Sequence, residues 1–83
     1  MTIEVTYYPF INQTEITDAQ LAYIRPLLVA RSGVVHSKTD IDALLVSGSP
    51  FYQYNPSTGT ISFNPNIPFN TDESINVIYG TNP

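Results

Sequence analysis

The chain has no cysteine, a single histidine and only three lysines and arginines in 83 residues. Without cysteine there is neither a disulfide framework nor a thiolate metal site. One imidazole is too few for a histidine-based zinc centre. Scarce positive charge against seven Asp and Glu gives a net charge of −4, which argues against a nucleic-acid backbone or an anionic membrane surface as partner. Long apolar runs are also missing: nothing approaches the roughly 18 residues of a membrane span. The opening residues, Met1-Thr2-Ile3-Glu4-Val5-Thr6, carry no basic segment followed by an apolar one, so no secretion signal is expected. The four glycines stand apart at positions 33, 48, 59 and 80, which leaves no glycine-rich phosphate loop.

Charged residues of either sign make up 12% of the chain, about half the usual share of roughly 25%. The surface must therefore be built from Ser, Thr, Asn, Gln and Tyr, which lets identical copies pack closely without like-charge repulsion. Length points to one domain, residues 1–83, with a core too small to be comfortable alone. Disulfides and metals being excluded, self-association or docking on a larger partner is the remaining means of stabilisation.

What is present reads mainly as β structure. Ile3, Val5 and Tyr7 alternate with Thr2, Glu4 and Thr6, a period of two that marks a strand. Pro9 ends it or confines it to a sheet edge. Thr17 and Gln20 have capping-box spacing, Ile16 and Leu21 that of a hydrophobic staple, and a short helix over residues 18–24 is expected. Pro26 limits that helix. Leu27–Arg31, which opens with the apolar run Leu27–Ala30 and precedes the Ser32-Gly33 turn signal, is read as extended, with Val34–Ser37 returning. The competing reading continues the helix through a kink at Pro26 to Gly33. Thr39–Leu45 has the pattern of a capped helical turn.

The C-terminal third is more explicit. Phe51–Tyr54 and Thr60–Asn64 flank Asn55-Pro56-Ser57-Thr58-Gly59, a hairpin signal in which Gly59 supplies positive φ. Ile61 and Phe63 should face inward, as should Ile75, Val77 and Tyr79 in a closing strand. The expected fold is a small antiparallel β-sandwich or barrel with one or two short helical turns.

A search for catalytic chemistry finds none. His36 and Ser37 point to opposite faces of a strand, and no nucleophile elbow exists. Asp40 and Asp42 are not spaced to share a helix face. Asp72 and Glu73 sit where a turn ordinarily carries acid. No cofactor or metal site is expected. The informative group is aromatic, six Tyr and four Phe. Most should fill the core, and the remainder should reach an interface. Tyr7, Tyr8, Phe10, Tyr52 and Phe69 are the candidate oligomer or partner contacts. A small carbohydrate- or peptide-binding module using exposed tyrosines is the alternative.

Three segments form a wider pattern: Arg31-Ser32-Gly33-Val34, then Tyr54-Asn55-Pro56-Ser57-Thr58-Gly59-Thr60-Ile61-Ser62-Phe63, then Pro68-Phe69-Asn70-Thr71-Asp72-Glu73 with Val77-Ile78-Tyr79. Together they span a little over half of the chain. The pattern resembles small β-modules in structural proteins of tailed bacteriophages and related viruses. That resemblance implies a non-enzymatic virion component of tail, fibre, neck or decoration type. Such a component is made in the host cytoplasm and partners copies of itself or other virion proteins.

Overall fold

Seven strands form one sheet in the order β1-β7-β3-β4-β5-β6-β2, seen in a computed structural model that describes residues 1–9 and 12–80. The strands are β1 (Thr2–Tyr7), β2 (Glu15–Thr17), β3 (Pro26–Arg31), β4 (Val34–Lys38), β5 (Phe51–Asn55), β6 (Thr60–Ser62) and β7 (Ile75–Gly80). A 3-10 turn covers Ala19–Leu21, and a single α-helical turn, α1, covers Asp42–Leu45. The sheet curls into a half-barrel, the mainly-β fold expected. Neighbouring strands are antiparallel except β4 and β5, which run parallel.

Register sorts the residues of β1, β7, β3 and β4 into two faces. Val5, Val77, Val29 and His36 stand opposite one another in one row, and Tyr7, Ile75, Arg31 and Val34 in the next. These rows line the concave side, where Leu21, Val29, Ile61, Phe63, Ile75 and Val77 are fully buried. The predicted inward residues of the last two strands are therefore all in the core. Leu27–Ala30 lies within a strand hydrogen-bonded on both sides, which rules out the helical reading of that run. Its turn is a two-residue loop with positive φ at Ser32 (51°) and Gly33 (79°), the geometry that matches strand twist.

The helix expected over residues 18–24 is only the three-residue 3-10 turn. Its cap is Asp18, not Thr17: the Asp18 carboxylate accepts from the Gln20 amide at 2.9 Å. Thr17 instead lies in β2, its hydroxyl 2.9 Å from that of Thr60 across the ladder. Ile16 is no staple either, for it pairs with Ile61 of β6. Two backbone features stop the turn. Ala22 is already extended, and Tyr23 has φ 59°, a left-handed conformation that no α-helix propagates.

Candidate functional site

The five aromatic residues expected at contacts have different fates. Tyr8 stands 77% exposed just beyond β1. Tyr7 beside it is half-buried, and its hydroxyl donates to Asp18 Oδ2 at 2.8 Å. Burial, and then the Asp18 carboxylate, push the Tyr7 phenol well above its ordinary pKa. Both tyrosines line a cleft of about 650 Å³ with Pro9 and residues 12–17. Phe10 lies outside the described residues. Tyr52 and Phe69 are core residues, 4% and 2% exposed, and offer no ring to a partner. Both pack on Phe63, Phe69 edge-on at 5.8 Å and Tyr52 tilted at 6.5 Å. Alternation along β5 turns Tyr52 inward, whereas Phe69 is drawn in from a loop by a cation.

That cation is Arg31, which sequence reasoning passed over. Its guanidinium carbon lies 4.7 Å from the Phe69 ring centre and 5.8 Å from that of Phe63. The Nε donates to Glu73 Oε2, and a terminal nitrogen donates to Glu73 Oε1 at 3.3 Å and to the carbonyls of Ile67 and Pro68 at 2.7 and 3.1 Å. Glu73 Oε1 also accepts from the Asn70 amide at 2.9 Å. Burial raises the Glu73 carboxyl, but the bonds from Arg31, Asn70 and Ser32 outweigh it and hold the carboxyl below its usual range. The centre therefore stays ionised and satisfied, as a buried ion pair requires. It ties β3 to the loop between β6 and β7. The one signal in the sequence was phase: Arg31 follows Val29 by two residues and so occupies an inward position, which demands a buried acid.

The acidic and nucleophilic residues do not converge. Asp42 accepts from the Gln53 amide at 2.7 Å, and Asp40 lies 3.3 Å from the Lys38 ammonium. His36 packs edge-on against Phe63 at 5.3 Å, and its Nδ1 faces the Val34 carbonyl at 2.8 Å. Among the described residues no three His, Cys, Asp or Glu side chains gather as metal ligands. No described helix is long and apolar enough to cross a membrane.

The convex face is open and partly apolar. Glu4, Ile78 and Leu28 form one row across it, and Thr6, Asn76, Ala30 and Val35 another. Leu27, at an irregularity in the β3–β7 ladder, lies beside Gly80 and is 65% exposed, while Val35 is 57% exposed. The sheet ends there in β1, whose six residues pair with β7 without a register shift. Natural edges are usually shielded by lysine, proline or a bulge, and β1 has none of these; its only charge, Glu4, accepts from Asn76 at 3.1 Å. The opposite edge, β2, has three residues. No family model matches this chain, and comparison with curated proteins and with solved structures finds no match either.

Proposed function

We propose that this chain is a non-enzymatic structural module that works by assembly, copies joining at the unshielded β1 edge and the apolar convex face beside it. The observation that carries the reading is that edge: a regular six-residue strand, about 20 Å long, whose outer side has no backbone partner among the described residues, with exposed Tyr8 just beyond its end and exposed Leu27 two strands away in β3. Low charge supports it, because β1 strands brought side by side would oppose few like charges. The setting implied by the Arg31–Tyr79 pattern is the virion of a tailed bacteriophage, where other virion proteins would also meet this face. The glycan-binding alternative needs exposed rings sharing a face. Tyr8 and Tyr23, the most exposed tyrosines, follow different elements, and the close ring pairs are all centred on buried Phe63.

Light scattering across a wide concentration range tests the reading. The expected result is a discrete oligomer that Thr6→Lys, on the convex face of β1, and Tyr8→Ser each shift toward monomer. Their melting temperatures should hold, since exposed substitutions typically change stability by about 0.5 kcal/mol or less. A wild-type monomer of 9.2 kDa at every concentration would overturn self-assembly.

A further inference from the structure

The ladder between β3 and β4 stops early. Its pairs are Arg31 with Val34, Ala30 with Val35 and Val29 with His36. One residue later β4 turns to β5, pairing Ser37 with Phe51 and Lys38 with Tyr52. The Ser37 and Thr39 amides donate to the Pro50 and Tyr52 carbonyls, each at 2.9 Å, so strand alternation turns the Lys38 peptide the other way, toward β3. β3 meanwhile stays with β7 as far as Pro26. The parting strands leave a cleft of about 330 Å³.

The chain's positive charge collects there. Of its three lysines and arginines, Arg31 is spent on Glu73, and the other two, Arg25 and Lys38, both line this cleft together with His36. No Asp or Glu lines it. Asp40 reaches Lys38 from outside, with a side chain 86% exposed. Below the cations lies Tyr52, 4% exposed. The hydroxyls of Tyr7 and Tyr54 have hydrogen-bond partners in the fold; that of Tyr52 has none among the described residues. No fully enclosed side-chain oxygen or nitrogen among the described residues lacks a partner, so the Tyr52 hydroxyl is not fully enclosed, and this cleft is the one that Tyr52 lines. Burial pushes its phenol up while the charge of Arg25, which lines the same cleft, pulls it down. His36 forms wall rather than donor: with Nδ1–H turned to the Val34 carbonyl, its Nε2 is an acceptor in the neutral ring.

We propose that this cleft is a binding site for a small oxyanion, a phosphate or a carboxylate, which accepts a hydrogen bond from the Tyr52 hydroxyl and is neutralised by Arg25 and Lys38. The polarity fits because a phenol offers one donor, a guanidinium a fork of them and an ammonium three, while no carboxylate competes inside. Asp40 is the resident competitor for Lys38 at the rim. The site is built within one copy, although Leu27 and Val35 belong both to its lining and to the proposed assembly face.

Inorganic phosphate and, separately, acetate are titrated into the full chain at fixed ionic strength, with amide chemical shifts as the readout. Saturable shifts are expected at residues 25–28, 37–38 and 52. Tyr52→Phe, which keeps the ring, and Arg25→Gln should each weaken binding by about tenfold, and Asp40→Asn should tighten it. Saturation by phosphate at lower concentration than acetate assigns a phosphate group, and the reverse order a carboxylate. Should Tyr52→Phe fail to fold, Arg25→Gln at the exposed rim carries the test. No saturable shift with either anion, or an affinity that Arg25→Gln leaves unchanged, would overturn the proposal.

Discussion

Gly59 closes the β5–β6 hairpin with φ 70°, and replacing it with alanine tests how that hairpin is seated. The left-handed backbone alone disfavours a Cβ by about 1–2 kcal/mol. A second cost comes from outside the hairpin. A Cβ on Gly59 would lie 2.1 Å from the Asp18 carbonyl oxygen and 2.8 Å from the Ala22 amide nitrogen, backbone atoms of the 3-10 turn that cannot swing aside. The hairpin and the turn would have to separate, at about 1–3 kcal/mol for overpacking. Separation also strains the bond from the Asp18 amide to the Gly59 carbonyl, now 3.1 Å, worth about 1 kcal/mol. The whole loss is about 3–6 kcal/mol, a large part of the roughly 4–12 kcal/mol that a domain of this length possesses. Gly33 is the control: its φ is 79° and nothing lies within 4 Å of a Cβ there, so Gly33→Ala should cost only about 1–2 kcal/mol. Urea denaturation of both variants reads the difference, with Gly59→Ala expected to lose at least about 2 kcal/mol more. Equal losses would refute the close seating of the hairpin on the 3-10 turn.

Glu73→Gln leaves the Arg31 charge buried without its counterion and should destabilise by about 3–5 kcal/mol near neutral pH. Because the folded carboxyl lies below the unfolded value of about 4.3, its contribution is complete above that value and fades as acid carries the pH down through the folded one. The gap between wild type and Glu73→Gln, followed by denaturation from pH 7 downward, should therefore narrow in acid; a constant gap would contradict the assignment. Tyr7 and Tyr52 should ionise later than an ordinary tyrosine, whose pKa is about 10. The stability they contribute is complete below that value and declines above it. An absorbance titration should show a delayed fraction that Tyr7→Phe reduces, whereas simultaneous ionisation of all six tyrosines near pH 10 would rule it out.

Local chemistry was legible in the sequence wherever it decided the outcome alone. The Gly59 and Ser32-Gly33 turns, the alternation of Ile75, Val77 and Tyr79, and the end of β1 ahead of Pro9 all follow from steric preferences within a few residues. β2 was invisible for the opposite reason: three residues carry no period, and Glu15–Thr17 is a strand only because β6 pairs with it. The 18–24 helix failed because a capping-box spacing cannot see that Asp18 sits closer to the amide it caps, nor that Tyr23 turns left-handed. Arg31 and Glu73 are 42 residues apart, so their meeting depends on topology that no window reveals. The same holds for Tyr52: its strand was readable, but the cleft beneath Arg25 and Lys38 exists only because β4 leaves β3 for β5.

The position of β7 between β1 and β3 has a kinetic consequence. Asn76 and Glu4, bonded across that junction, are separated by 72 residues, so the chain must close nearly its whole length to complete the sheet. The entropy of that closure falls before the contacts that offset it form, which places such a topology among the slower folders, in milliseconds to seconds. Until residues 75–80 arrive, β1 has no neighbour and β3 keeps one bare edge. An early-stage chain therefore displays more unpaired strand than the finished protein, and dilution or a chaperone should raise its refolding yield more than it raises its final stability.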